Sequence, residues 1–193
     1  DISNFHILVD LMAARLTELL NGSAVALALG VASRTGLLRV LGQEPSTLEN
    51  IAKAAKLHPR YVEEILAVLV CGKVAILTED QPAKYSIAAE TTSALDGMGL
   101  YFEELPLLTR CAFDEVVSAA STGAGVSPDC YGSFGAWMGK LADEKHEKQL
   151  VSKLLPLLAG GSIFNKLQDG GVAVLDVGCG EGTAACLIAE RFP

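Results

Sequence analysis

The clearest candidate for chemistry is a glycine-rich stretch, Gly178–Thr183, in which glycine alternates with Cys179 and Glu181. The residues before it, Val172–Val177, are apolar and often β-branched, which predicts a buried parallel strand. Those after it, Ala184–Arg191, predict a helix. A strand, a glycine loop and a helix N-terminus together let backbone amides bind a nucleotide-like ligand. Glycine is needed there because a Cβ would hold the ligand away or clash in the tight turn.

The spacing of these glycines excludes two common nucleotide sites. A dinucleotide site shows G-x-G-x-x-G, whereas here the third glycine, Gly182, comes one position early and Thr183 takes the sixth place. No Gly-Lys-Ser/Thr follows, which excludes a P-loop. An acid, Asp176, precedes the first glycine by two residues.

The stretch Leu175–Gly182 (LDVGCGEG) resembles the first motif of class I S-adenosylmethionine-dependent methyltransferases. The wider order of the chain also resembles the subgroup that has an N-terminal winged-helix domain and a helical connector. Further similar stretches are Leu105–Leu108, Gly123–Val126 and Leu154–Leu158. The implied fold is a mainly α N-terminal part that leads into the first β-α unit of a Rossmann-like α/β domain.

This resemblance also implies roles for individual residues. Asp176 would lie near the cationic amino group of the methionine moiety of S-adenosyl-L-methionine, and the glycines would let the backbone approach that moiety. Thr183 and the helix start would present amides to its carboxylate. The predicted cofactor-binding residues are Asp176, Gly178, Cys179, Gly180, Gly182, Thr183 and Tyr131. Cys179 is not expected to be a nucleophile, no catalytic residue is assigned and no metal site is predicted.

Tyr131 belongs to a group of three aromatic residues with Phe134 and Trp137, the only tryptophan. Their spacing of three places them on one face if the segment is helical. Two interpretations stay open: the three residues pack in the core, or Tyr131 and its neighbours cover a ligand pocket.

A winged-helix order is predicted between residues 37 and 95. Ser46 or Thr47 caps a short helix over Leu48–Ala55, and Pro59 begins a second helix that runs to Cys71. Two β-prone runs, Val74–Thr78 and Lys84–Ile87, then predict a hairpin.

Charge disfavours a DNA-binding role for this domain. Between Pro45 and Glu90 there are five basic and six acidic residues, and two of the acids, Glu63 and Glu64, lie on the helix that would enter the groove. Phosphate binding normally requires a basic face. The net charge of −8 for the whole chain agrees, and no nucleic-acid partner is predicted.

The first 40 residues predict two helices. The first runs over residues 5–20 with a stripe of Leu8, Met12, Leu16 and Leu19, and Asn21-Gly22 ends it. Ser23 then caps a second helix, whose small and apolar residues Ala24–Ala32 are expected to be covered on most sides, by the rest of the chain or by a second copy. Because Ala24–Ala32 is much shorter than the roughly 20 residues of a membrane span, no membrane is predicted. A homodimer through these helices is the expected assembly.

Residues 96–170 predict a helical connector. A flexible Asp96–Gly99 precedes a helix over Leu100–Ala120, whose buried stripe is expected to comprise Leu105, Leu108, Ala112, Val116 and Ala119. The predicted organisation is therefore 1–95 for the N-terminal helices and winged-helix domain, 96–170 for the connector and 171–193 for the start of the cofactor domain.

Five scattered cysteines, without a CxxC pair, and three distant histidines predict free thiols in a reducing, cytoplasmic compartment. The predicted function is methyl transfer to an unidentified acceptor, by a longer enzyme of which these residues form the N-terminal part. The alternative is a non-enzymatic winged-helix regulator or dimerisation module.

Overall fold

The computed structural model describes residues 2–192, with side-chain surroundings from His6 onward. The described chain is mainly helical, as predicted, and divides into two compact units, one up to Arg110 and one from Cys111. This division falls inside the predicted connector. The elements of the first unit are α1 (Ile2–Arg34), α2 (Leu37–Leu41), α3 (Leu48–Ala55), α4 (Pro59–Cys71), β1 (Ile76–Leu77), β2 (Tyr85–Ser86), α5 (Ala89–Met98) and the first half of α6 (Tyr101–Thr122).

The winged-helix prediction for the first unit is confirmed. Thr47 caps α3 by accepting a hydrogen bond from the Asn50 amide at 3.4 Å, and Pro59 opens α4. Strands β1 and β2 pair antiparallel, with Ile76 opposite Ser86, so the hairpin forms within shorter limits than the two β-prone runs.

A single core holds this unit together. Its largest fully buried side chains come from the three helices that follow α1: Leu37, Leu41, Ile51, Val62, Leu66 and Leu69. The C-terminal part of α1 contributes Leu29 and Ala32 to the same cluster. Burial of several large apolar side chains around α4 is what fixes the helix-turn-helix geometry.

The two helices predicted for the first 40 residues are one continuous helix, so that prediction is wrong. Asn21 and Gly22 lie inside α1, where a glycine costs only about 1 kcal/mol. Ser23 does not cap a new helix, because its Oγ donates a hydrogen bond back to the Leu20 carbonyl at 2.7 Å. The segment Ala24–Ala32 is also covered on one side only, since Leu29 is buried while Leu27 and Val31 are about half exposed.

Because α1 is continuous, the whole helix, and not only Ala24–Ala32, has to be compared with the length of a membrane span. Over His6–Arg34, α1 is long and apolar enough to meet the length and composition criteria of a membrane span, with a mean hydropathy of 1.4 in an 18-residue window. The shortness of Ala24–Ala32 therefore does not exclude a span. A helix of a soluble protein can meet the same criteria. Asp10, Arg15 and Glu18 interrupt α1 with charges that are costly in hydrocarbon.

The regular secondary structure that is described for the second unit consists of helices only. It contains the end of α6, a 3₁₀ turn (Pro128–Tyr131), α7 (Phe134–Lys145), a π-helical segment (His146–Leu154), α8 (Leu155–Leu157), a 3₁₀ turn (Leu158–Gly161), α9 (Ser162–Asp169) and α10 (Thr183–Arg191). Its buried residues are spread thinly over these helices: Ala112, Trp137, Leu141, Leu155, Leu167 and Ala184.

Two details of the predicted connector differ from the structure. Asp96 and Met98 lie in α5 rather than in a flexible stretch. The stripe predicted for α6 is buried only at Ala112, while Leu105 and Val116 are about half exposed. The helix itself is confirmed, although Pro106 lies within it.

No hydrogen-bonded strand forms over residues 171–177 in the described chain, contrary to the prediction for Val172–Val177. Leu175 and Val177 are each 86% exposed. A parallel strand is stabilised by hydrogen bonds to neighbouring strands, and the strands that the structure describes, β1 and β2, lie in the other unit.

Candidate functional site

The glycine loop has a backbone that requires glycine. Gly178, Gly180 and Gly182 have φ values of 82°, 56° and 84°, in the left-handed region that side chains disfavour. No heavy atom lies within 4 Å of the position that a Cβ would occupy at any of the three. Backbone conformation, rather than crowding by the protein, is therefore the physical reason for glycine here.

Helix α10 starts directly from this loop, as predicted. Gly182 is its N-cap and provides no side-chain hydrogen bond. The Gly182 amide bonds to the Cys179 carbonyl at 2.9 Å, and the first bond of the helix runs from the Cys186 amide to the Gly182 carbonyl at 3.0 Å. The amides of Thr183 and Ala184 precede that bond, at the positive end of the helix dipole, where an anionic group is favoured.

The remaining predicted residues of the loop are accessible. Asp176 lies in the exposed stretch before Gly178, and Cys179 is exposed with a free thiol. All five cysteines of the chain are free. Asp176 and the loop residues, which are the three glycines, Cys179 and Thr183, lie near one another because they are neighbours in the sequence. Their roles toward a cofactor stay predictions.

Tyr131 lies in a separate aromatic cluster with Phe134 and Trp137. The ring centroids of Tyr131 and Phe134 are 5.9 Å apart, and those of Phe134 and Trp137 are stacked at 5.4 Å. Trp137 is buried, which supports the core-packing interpretation for that residue, whereas Tyr131 is half-buried. The indole Nε1 of Trp137 is buried and has no hydrogen-bond partner within residues 2–192.

A cleft that the sequence did not predict lies beside the loop. Its volume is about 480 Å³ and it is open to solvent. The lining residues come from α7, the π-helical segment and the loop: Ala136, Gly139, Lys140, Asp143, Glu144, Glu147 and Glu181. Four of these seven residues are acids, and one of them, Glu144, pairs with Lys148 at 2.7 Å. Helical spacing of the first six was visible in the sequence, but their proximity to Glu181 was not.

In the winged-helix unit, the basic side chain of α4 is paired with acidic side chains of the same helix. Arg60, the basic residue of this helix, forms ion pairs with Glu63 at 3.6 Å and with Glu64. A guanidinium held by two carboxylates offers little attraction for a phosphate, which agrees with the charge argument against DNA binding.

Comparison with known proteins supports this description of the fold. Residues 23–96 match the model of the Rv2258c-like winged HTH domain family, in agreement with the winged-helix domain that the structure shows. No curated protein matches the chain by sequence.

Solved structures that share the fold include three methyltransferases. Mitomycin 7-O-methyltransferase MmcR is 19% identical with a TM-score of 0.56, over 97% of this chain and 57% of that one. CalO1, a methyltransferase in calicheamicin biosynthesis with bound SAH, is 19% identical with a TM-score of 0.56, over 94% and 56%. The S-adenosylmethionine-dependent methyltransferase SibL, in its apo form, is 19% identical with a TM-score of 0.54, over 91% and 61%.

The chain thus shares its fold with part of each of these methyltransferase structures, and the resemblance seen in the sequence is confirmed at the level of the fold. It spans between 56% and 61% of the length of these three structures.

Proposed function

We propose that this chain supplies the winged-helix domain and the first cofactor-binding motif of an S-adenosyl-L-methionine-dependent methyltransferase with an unidentified acceptor. The observation that carries the proposal is the loop of three left-handed glycines that opens directly into the start of α10. The fold shared with three methyltransferase structures, one of them with SAH bound, supports it.

The local geometry fits such a cofactor. Gly182 has no side chain to occupy the helix N-terminus, so the amides of Thr183 and Ala184 are the groups that would bind the carboxylate of the methionine moiety. Asp176, on the exposed stretch before the loop, would bind its ammonium group through a charge-assisted hydrogen bond. Tyr131 is proposed as a further contact.

When bound, the cofactor supplies an activated methyl group on a sulfonium sulfur. The contribution of this chain is then binding and orientation, which in favourable cases lowers a barrier by roughly 7–11 kcal/mol. No residue of the described chain is assigned as a base, and none is needed unless the acceptor must lose a proton.

Isothermal titration of S-adenosyl-L-methionine against the full-length protein tests this proposal. We expect binding by the wild type and a loss of at least tenfold in affinity for Gly180→Val, because valine is strained at a φ of 56°. Gly125→Val is the matched control, since Gly125 is a loop glycine in open space without positive φ. Absence of heat with the wild type, or equal affinity for the Gly180→Val and Gly125→Val variants, would contradict the proposal.

The same proposal includes a homodimer formed through α1 in the cytoplasm. Large apolar side chains of α1 are exposed at Leu8, Leu11, Met12, Leu16, Leu19 and Leu20, each by more than half. Burial of such a patch would remove a large apolar area from water. Light scattering should give twice the chain mass for the wild type and a lower mass for Leu16→Asp; a wild-type monomer would contradict the dimer.

The alternative, a non-enzymatic winged-helix regulator, gains no support from the surface of α4. A mobility-shift experiment at low salt separates the two functions, because even nonspecific DNA binding is strongest there. We expect no shift, and a shift that Arg60→Ala abolishes would favour the regulator.

A further inference from the structure

Helix α7 contains two glycines with different surroundings, Gly135 in its first turn and Gly139 in its interior. A glycine inside a helix lowers helix stability by about 1 kcal/mol relative to alanine, so a glycine at such a position calls for a structural explanation. A Cβ at Gly135 would meet no heavy atom within 4 Å. At Gly139 it would lie 3.6 Å from Cγ and 3.8 Å from Oε1 of Glu181, a residue of the glycine loop.

The Glu181 side chain is therefore a point at which the loop meets the rest of its unit. The loop glycines have no heavy atom within 4 Å of their Cβ positions, and Leu175 and Val177 before them are exposed. Helix α10, after the loop, packs against the π-helical segment. The loop thus lies between an exposed stretch and a packed helix, and within the loop the Glu181 side chain lies beside Gly139 of α7.

We infer that Glu181 is a positioning residue that holds the glycine loop against α7 beside Gly139, where a side chain larger than that of alanine would displace it. The inference rests on the proposed function only where it concerns cofactor affinity. Contact with α7 restricts the backbone of the loop, and a restricted loop loses less conformational freedom when it binds a ligand.

The contact works by packing rather than by charge. Glu181 shares the cleft with Asp143, Glu144 and Glu147, against the single cation Lys140. Surrounding carboxylates repel its charge, while its Cγ contributes the shorter of the two distances to the Gly139 position. Glutamine at position 181 should therefore hold the loop at least as well as glutamate does.

Amide hydrogen exchange of the loop peptide in the cofactor-free, full-length protein tests this inference. We expect exchange to be about threefold faster in Glu181→Ala and in Gly139→Leu, because both substitutions release the loop. Gly135→Leu is the control for a leucine introduced on the same helix, in its first turn and in open space, and should exchange at the wild-type rate. Glu181→Gln should also match the wild type.

The double variant Gly139→Leu/Glu181→Ala separates a shared contact from two unrelated defects. Loss of one contact predicts exchange no faster than in either single variant, whereas independent effects would multiply. Wild-type exchange in both single variants, or multiplied effects in the double variant, would overturn the inference.

Titration with SAH forms a separate arm of the experiment. Its affinity should fall about threefold in Gly139→Leu, in step with the exchange rate, and stay unchanged in Gly135→Leu. Failure of the wild type to bind SAH overturns the proposed function, while the exchange measurement still decides whether Glu181 positions the loop.

Discussion

The winged-helix unit and the glycine-loop stretch differ in where their stabilising contacts come from. Around α4, Val62, Leu66 and Leu69 are fully buried by helices close in sequence. Before the glycine loop, Leu175 and Val177 are equally apolar yet 86% exposed. Hydrophobicity alone therefore does not place a residue in a core; a partner surface must be present, and a strand needs its partners for hydrogen bonds as well as for burial.

The largest expected effect comes from removing a core side chain on one side of this comparison. Leu66→Ala should lower the free energy of unfolding of the winged-helix unit by about 2–5 kcal/mol, because it leaves a cavity in a fully buried site. Leu175→Ala in the same chain should change it by less than about 0.5 kcal/mol. Urea denaturation followed by circular dichroism measures both, and a similar loss for the two variants would refute the comparison.

An intermediate effect is expected inside α1, where two glycines have opposite surroundings. A Cβ at Gly30 would collide with the carbonyl oxygen of Phe102, whereas one at Gly22 would meet nothing within 4 Å. Gly30→Ala should destabilise the unit by about 1–3 kcal/mol. Gly22→Ala should stabilise it by up to about 1 kcal/mol through helix propensity. Thermal unfolding of both variants checks the signs, which must be opposite for the packing assignment to stand.

The smallest effect concerns the caps, which the two units use differently. Thr47 caps α3 with its side chain, so Thr47→Ala should cost about 1 kcal/mol. Gly182 caps α10 without a side chain, and Gly182→Ala should instead act through its φ of 84° and loosen the loop. Chemical denaturation for the first variant and loop hydrogen exchange for the second distinguish the two. Unchanged stability for Thr47→Ala would show that this cap contributes nothing.

The winged-helix elements could be predicted from the sequence because their signals are local. Thr47, Pro59 and Gly72 mark helix ends within a few residues of the groups that they satisfy, and α3 and α4 have the predicted bounds. The turn before Tyr85 likewise follows from local polar residues, although the paired region is shorter than the β-prone runs.

The predictions that the structure contradicts depend on contacts between residues distant in the sequence or on weak local signals. Gly22 predicts a helix end, but a glycine lowers helix stability by only about 1 kcal/mol, and the 33-residue helix α1 continues through it. Val172–Val177 has the composition of a buried strand, yet composition does not supply neighbouring strands. Glu181 and Gly139 lie close together although they are 42 positions apart, and no pattern in the sequence indicates this proximity.

The continuity of α1 also has a mechanical consequence. Its C-terminal part is fixed in the winged-helix core through Leu29 and Ala32, and the same unbroken helix runs back through the exposed Leu16 and Leu8. At about 1.5 Å per residue, Leu8 lies roughly 30 Å along the axis from Leu29. A partner that binds the exposed N-terminal part of α1 is therefore held in a fixed direction from the winged-helix core, because both parts belong to one continuous helix.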